Sequence, residues 1–198
     1  MSSEPVETRT RILDATVQML EEHGGQGVRM GDIARQAGVS RQALYLHFAS
    51  RTELLEATTL HVDLKLDLEE RLAPSRAART GAERLALYVA FWGQYLPDVY
   101  SVARALMLAQ DGDEAAAAAW KDRMDAMRDG CRAAVDALQR DGTLAPGWSA
   151  ATATDALCML LQLPNWENLT ITCGWTHRQY VERMQSMAAR LLLAQPGG

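Results

Sequence analysis

The 198-residue chain has no long uninterrupted run of apolar residues. A membrane-spanning helix needs about 18 or more of them in succession, and no stretch of the sequence approaches that length. The first ten residues, MSSEPVETRT, contain no apolar segment behind a positively charged patch, so they do not resemble a secretory signal. We therefore expect a cytoplasmic protein with no membrane segment.

The sequence also lacks the motifs of common catalytic and metal sites. Its four histidines are scattered, and its three cysteines do not have the paired spacing of zinc ligands. His61 and Asp63 are two residues apart, so they do not share a helix face. No glycine-rich phosphate loop or nucleophile elbow is present. The sequence therefore argues against an enzyme and predicts no cofactor and no bound metal.

The cysteines Cys131, Cys158 and Cys173 are odd in number and far apart in the sequence. In a reducing cytoplasm, such residues are usually buried or unreactive thiols. The alternative is a redox switch, and the sequence alone leaves both interpretations open.

Apolar residues recur at helical spacing along most of the chain, and no segment alternates with the period of two that is typical of a strand. We predict helices over 8–23, 31–37, 40–48, 51–73, 80–96, 98–110, 114–140, 149–163 and 176–195. Pro74, Pro97 and Pro164 are expected to end or kink helices because proline removes a backbone donor. The predicted fold class is all-α.

Residues 29–51, RMGDIARQAGVSRQALYLHFASR, have the pattern of two short helices joined by a tight turn. Gly38 and Val39 form the turn, and Ser40 caps a second helix that closes at His47 and Phe48. This is the plan of a helix-turn-helix unit, whose second helix enters the major groove of DNA. Five residues are predicted to face inwards: Ile33, Ala34, Ala37, Val39 and Leu44.

The segment AGVSRQALYLHF, followed by SRTEL, resembles the signature of the TetR-type bacterial transcription regulators. The resemblance covers about the first quarter of the chain. It implies a homodimer that regulates transcription, in most cases as a repressor released from a palindromic operator by a small molecule. The aromatic and methionine side chains of the second half predict that this ligand is largely apolar. The chain departs from the family pattern at Arg29, where the family usually has a serine or threonine as helix cap.

The predicted DNA-binding residues divide by role. Arg41 and Gln42 lie in the first turn of the second helix, where arginine suits guanine and glutamine suits adenine, and Ala43 can touch a thymine methyl group. The resemblance implies that Tyr45 and His47 contact phosphates and that Arg51 is a basic phosphate clamp. The alternatives are that Tyr45 and His47 pack between helices, and that Arg41 and Gln42 are only a solvated helix start. The complete predicted set is Arg29, Ser40, Arg41, Gln42, Ala43, Tyr45, His47 and Arg51.

The net charge of −5 lies entirely beyond this segment, because residues 1–51 carry six arginines and six acidic residues. Non-specific attraction to phosphates should therefore be modest. Binding would depend on a few placed arginines and on two copies acting together.

We place a helix-turn-helix domain at residues 1–52 and a helical domain for ligand binding and dimerisation at 53–198, with the boundary inside a long linking helix. Aromatic and methionine side chains make adaptable walls for apolar ligands, although they equally make ordinary core. The candidate pocket residues are Trp92, Tyr95, Met107, Trp120, Met124, Met127, Met159 and Trp166.

The resemblance implies that the helix from about residue 149 and the last helix form a four-helix bundle across a dimer axis. The candidate interface residues are Tyr180, Met184, Met187 and Leu191, and the alternative is that they form intrachain core. Two further functions stay open beside the ligand-controlled repressor: a ligand-independent DNA-binding regulator and a helical protein-interaction module.

Overall fold

A computed structural model of the protein describes residues 3–194, with side chains from Val6 onwards. Within this range the chain forms ten α-helices and one π-helical turn, Asn168–Thr172, and no strand, which confirms the all-α fold class. The helices are α1 (Ser3–Glu22), α2 (Met30–Gln36), α3 (Arg41–His47), α4 (Arg51–Lys65), α5 (Leu68–Arg76), α6 (Gly81–Ala109), α7 (Glu114–Arg140), α8 (Ala150–Leu161), α9 (Leu163–Glu167) and α10 (His177–Leu192). The predicted end of the last helix, Gln195, lies outside the described residues.

The chain divides into two compact units. The first comprises Met1–Leu66 and Val99–Asp122, and the second comprises Asp67–Asp98 and Arg123–Gly198. The two long helices α6 and α7 contribute residues to both units. The domain boundary predicted after residue 52 stays a prediction. In the structure, α4 belongs to the first unit together with the three N-terminal helices.

The first unit has an apolar core to which every N-terminal helix contributes. Ile12 of α1, Leu44 of α3 and Leu54 of α4 are almost completely buried. Asp14 accepts hydrogen bonds from His61 at 2.7 Å and from Lys65, which ties α1 to α4. Burial raises the pKa of the Asp14 carboxyl, but the bonds from Lys65 and His61 outweigh it and lower the pKa overall.

The helix predicted over 51–73 is two helices, so that prediction is wrong. α4 ends at Lys65, and Asp67 follows in the left-handed region with φ 48°. Aspartate tolerates this conformation better than most residues because its short side chain can bond locally. Pro74 lies inside α5, where it removes one backbone donor near the end of the helix and does not end it.

Pro97 and Pro164 also act differently from the prediction. Pro97 lies within the single helix α6, although helices over 80–96 and 98–110 were predicted. The neighbouring Leu96 and Val99 are buried, so packing keeps the backbone helical on both sides of the proline. Pro164 stands in the first turn of α9, where a missing N–H group matters little, and α8 ends earlier, before the extended Gln162.

The second unit contains a very close approach between α6 and α7. A Cβ atom at Gly81 would lie 2.5 Å from the Leu138 backbone nitrogen, and the Gly81 N–H group donates to the Asp141 carboxylate. Only a residue without a side chain fits at the start of α6.

We expect Gly81→Ala to destabilise the protein by about 1–3 kcal/mol because the new methyl group collides with backbone atoms that cannot rotate away. Thermal unfolding measures the effect. Gly112→Ala is the matched control, since nothing lies within 4 Å of its Cβ position, and its unfolding temperature should hardly change. Equal shifts in the two variants would contradict the close approach.

Candidate DNA-binding site

The site is built on the turn between α2 and α3. Gly38 adopts φ +67°, and the Val39 N–H group donates to the Ala34 carbonyl at 2.9 Å. A residue with a side chain is strained in this left-handed conformation, so glycine makes the sharp end of α2 possible. The two short helices and the turn between them were predicted from the sequence and are confirmed.

α3 begins with a side-chain cap and buries one side. The Ser40 hydroxyl oxygen accepts a hydrogen bond from the Ala43 N–H group at 3.0 Å. Leu44 is fully buried, as is Phe48 immediately after the helix. Of the residues predicted to face inwards, Ile33, Ala34, Ala37 and Leu44 are buried and Val39 is half-buried. The helix is therefore fixed in rotation by its apolar side.

The opposite side of α3 faces solvent and carries polar groups. Arg41 and Gln42 are exposed, and Tyr45 is 40% exposed, so its ring is not packed away between helices. The Arg41 guanidinium carbon lies 5.7 Å from the centre of the Tyr45 ring, a cation–π contact that pre-orders both side chains. Ala43 and His47 are half-buried at the edges of this surface.

Leu46 is an exposed member of the same surface that the sequence prediction missed. Its side chain is 82% exposed, although leucines in short helices usually belong to the core. Gln42 precedes it by four residues, and residues at that spacing share a helix face. Counting one helical turn forward from Gln42 would have predicted that Leu46 is exposed.

Arg51 has a structural contact beside its predicted role as a phosphate clamp. Its Nη1 atom donates to the Val28 carbonyl at 2.8 Å, which ties the start of α4 to the segment before α2. Ser50 caps α4 by accepting from the Glu53 N–H group. Arg29, the cap residue of α2, makes no side-chain capping bond and is exposed.

Further contacts within the first unit join the N-terminal helices to α6 and to the residue before α7. The Arg104 side chain of α6 donates to the Gly24 carbonyl at 2.9 Å, and a Cβ atom at Gly25 would lie 2.5 Å from the Ser101 carbonyl oxygen. The Thr52 hydroxyl donates to the Asp113 carboxylate. That bond, with the bonds from two backbone N–H groups of α7, lowers the pKa of Asp113.

The second unit contains an open cleft of about 500 Å³. Its walls come from α6, α9, the π-helical turn and the start of α10: Gln94, Pro97, Asp98, Trp166, Thr170, Ile171 and His177. Trp166 is the one member of the predicted pocket set that lines this cleft. The Arg71 side chain donates to Asp98 at 2.9 Å, so the carboxylate at the rim is already paired with a cation.

The other predicted pocket residues do not form one wall. Trp92 and Tyr95 pack edge to face in an aromatic cluster on α6, with ring centres 5.6 Å apart, and Met127 is buried. Met107 and Trp120 belong to the first unit. Met124 is half-buried on α7. Met159 is 52% exposed on α8 and is not among the residues that line the cleft.

The four candidate interface residues on α10 differ in their exposure to solvent. Tyr180 and Met184 are 0% and 2% exposed within the single chain, so they form intrachain core and cannot meet a partner, which corrects their assignment. Met187 is 37% exposed and Leu191 is half-buried. Burial raises the pKa of the Tyr180 hydroxyl, which is consistent with its place in the core.

The sequence model of the bacterial regulatory proteins of the tetR family matches residues 12–58, which span α1 to the middle of α4. Residues 12–58 therefore form a TetR-type domain. A similar relative is the transcriptional regulator SrpR of Pseudomonas putida, which is 37% identical over 68 residues. That match covers 34% of this chain and 32% of SrpR, so the likeness in sequence is confined to the TetR-type domain.

Solved structures of similar fold extend over nearly the whole chain. NalD, described as the secondary repressor of the MexAB-OprM multidrug efflux pump in Pseudomonas aeruginosa, is 25% identical, with a TM-score of 0.68, and covers 98% of this chain and 100% of NalD. A putative transcriptional regulator from Saccharomonospora viridis in complex with choline is 20% identical, with a TM-score of 0.80, and covers 96% and 100%. The TetR-type helical fold is therefore shared beyond the DNA-binding domain.

Among residues 3–194, no helix is long and apolar enough to cross a membrane. In the same range, no group of three or more histidine, cysteine or acidic side chains could hold a metal ion.

The rotation of α3 can be tested with two leucines that are two residues apart. We expect Leu44→Ala to destabilise the protein by about 2–5 kcal/mol, since Leu44 is fully buried. Leu46→Ala should change the stability by less than about 0.5 kcal/mol because that side chain is exposed. Urea unfolding of the two variants measures both values, and similar losses would show that α3 is rotated differently.

Proposed function

We propose that the protein is a sequence-specific DNA-binding transcription regulator that acts as a repressor. The proposal rests on the first turn of α3, where Arg41 and Gln42 face solvent while Leu44 and Phe48 fix the helix from the other side. In helix-turn-helix proteins this turn meets base edges in the major groove. The family match over residues 12–58 supports the same function.

The exposed residues of α3 fall into two proposed roles. Arg41 and Gln42 read guanine and adenine, and Ala43 with the exposed Leu46 touches thymine methyl groups. Tyr45 and His47 hold phosphates together with Arg29 and Arg51. These backbone contacts position α3 but carry no sequence information.

A second copy of the chain is needed because one short helix contacts only a few base pairs. Two copies about one turn of DNA apart multiply the selectivity and require a two-fold-related operator. Met187 of α10 and Met159 of α8 are exposed apolar residues that suit a dimer contact, and the half-buried Leu191 follows Met187 by one helical turn. This regulator would act in the cytoplasm, where the operator is.

We further propose that a small, largely apolar effector binds the cleft of the second unit and releases the operator. The cleft volume of about 500 Å³ lies within the usual range for small-molecule sites. Pro97 and Asp98 at the cleft lie on α6, the same helix whose Arg104 donates to the Gly24 carbonyl. An effector that favours one arrangement of α6 can therefore change DNA affinity, typically by about 1–3 kcal/mol.

Variants on α3 should separate the two roles in binding assays with the DNA upstream of the protein's own gene. Gln42→Ala should weaken binding by about 1–3 kcal/mol per contact at particular base pairs and relax the choice there. Tyr45→Phe should weaken binding to operator and random DNA by the same factor, because it removes a phosphate contact. Fluorescence anisotropy with single-base-pair operator variants measures both effects.

Arg178→Ala is the matched control, since Arg178 is an exposed arginine on α10 that pairs with Glu182. It should bind both DNAs like the unchanged protein. The binding endpoint should correspond to two chains per operator. Absence of any salt-sensitive DNA binding would favour the protein-interaction module, and equal effects of Gln42→Ala and Tyr45→Phe on all DNAs would refute the division of roles.

Choline is a suitable first probe of the cleft because a structural neighbour binds it. Its positive charge is spread over apolar methyl groups, which suits the indole face of Trp166. We expect choline to raise the unfolding temperature of the unchanged protein and to lose that effect in Ile171→Trp, since Ile171 is 57% exposed and the larger ring fills the cleft. Differential scanning fluorimetry over a choline titration measures the shift.

Leu108→Trp is the control for the effector test, because Leu108 is an exposed residue of α6 that does not line the cleft. It should keep the response to choline. A stabilisation by choline that survives Ile171→Trp would place the binding elsewhere. If choline has no effect at all, the choice of a methylated ammonium ligand is wrong.

A further inference from the structure

Two of the three cysteines meet at the seam between α7 and α8, within the second unit. The side chains of Cys131 on α7 and Cys158 on α8 lie close enough for their thiols to hydrogen-bond. Both cysteines are free thiols, Cys131 fully buried and Cys158 7% exposed. Cys173, the third cysteine, is exposed.

Polar and charged groups surround the pair. Arg128 and Asp155, each three residues before one of the cysteines, form an ion pair across the same seam. Their side chains are 47% and 58% exposed, so solvent reaches this edge of the seam. On the inner side the Tyr88 hydroxyl contacts the Cys131 thiol and donates to the Met127 carbonyl at 2.9 Å.

This surrounding makes the two thiols unequal. The hydrogen bond from Cys131, helped by the charge of Arg128, lowers the pKa of Cys158 although burial opposes it. The hydrogen bond to Cys158 and burial raise the pKa of Cys131. Cys158, which is 7% exposed whereas Cys131 is fully buried, is therefore assigned as the thiol that ionises and attacks an oxidant, and Cys131 as the thiol that reacts with it afterwards.

We propose that Cys131 and Cys158 are a redox pair that a hydroperoxide converts into a disulfide joining α7 to α8. The Cys158 thiolate attacks one peroxide oxygen, the O–O bond breaks, and a sulfenic acid and hydroxide form. The Cys131 sulfur then attacks the Cys158 sulfur and displaces its hydroxyl group, which leaves as water with the Cys131 proton. In sum, two thiols and one hydrogen peroxide give one disulfide and two waters.

The disulfide would fix α8 to α7 covalently, in place of a hydrogen bond between thiols. Thiol reductants reverse the step by exchange. The inference does not depend on the proposed DNA binding, since both sulfurs and their surroundings lie within the second unit and the test measures thiols directly.

The test treats the full reduced chain with hydrogen peroxide, then denatures and alkylates it. Peptide mapping by mass spectrometry should find a peptide pair joined through Cys131 and Cys158, and two of the three titratable thiols should be lost and then restored by dithiothreitol. Cys173→Ser should give the same cross-linked pair. Recovery of Cys131 and Cys158 fully alkylated, with oxidation only at Cys173, would overturn the proposal.

Substitutions outside the thiols themselves keep the test independent of core packing. Arg128→Gln should slow formation of the cross-linked peptide several-fold because it removes the charge that favours the Cys158 thiolate. Arg132→Gln is the matched control, since Arg132 is a similarly exposed arginine of α7 that pairs with Asp129. Equal rates in the two variants would refute the role of Arg128. In Cys131→Ser, a dimedone adduct should accumulate at Cys158, and its absence would refute Cys158 as the attacking thiol.

Discussion

The exposure of Arg41 and Gln42 depends on the burial of Leu44 and Phe48 on the other side of α3. Isolated helices shorter than about 12–15 residues are marginal in water, and α3 has seven residues. Its helicity therefore comes from apolar packing and from the Ser40 cap, not from its own propensity. The same packing fixes which side chains face outwards, so the core of the first unit determines what surface the protein offers to DNA.

Two continuous helices link this surface to the second half of the sequence through the chain itself. α6 carries Pro97 and Asp98 at the cleft and Arg104 at the Gly24 carbonyl, and Asp113, immediately before α7, accepts from Thr52. A proline inside α6 interrupts its backbone hydrogen bonding without ending the helix. A single helix thus carries residues of the cleft and a residue that contacts the segment before α2.

Much of the fold could be predicted from local sequence signals. Ser40 accepts the capping bond that its sequence context predicts, and α7 has the predicted bounds. The effects of the three prolines were harder to predict because they depend on tertiary packing. Buried neighbours keep α6 helical across Pro97. The helix predicted to end at Pro74 ends earlier, since α4 stops before the left-handed Asp67.

The candidate sites were predictable only where local pattern determines exposure. The polar side of α3 follows from helical periodicity and from the family resemblance, and Leu46 was missed because its residue type suggested core. The apolar residues of the second half gave no such guide, since Tyr180 in the core and Met159 on the surface look alike in sequence. The contact between Cys131 and Cys158 joins residues 27 apart, which no local pattern reveals.

Asp67, at the break between α4 and α5, is the one residue other than glycine among positions 3–194 with a positive φ. Aspartate, asparagine and glycine tolerate that backbone conformation, while β-branched side chains strain it. A replacement from that narrow set would leave the corner between the two helices in place. A valine or isoleucine would strain it and push the chain onto a different path after α4.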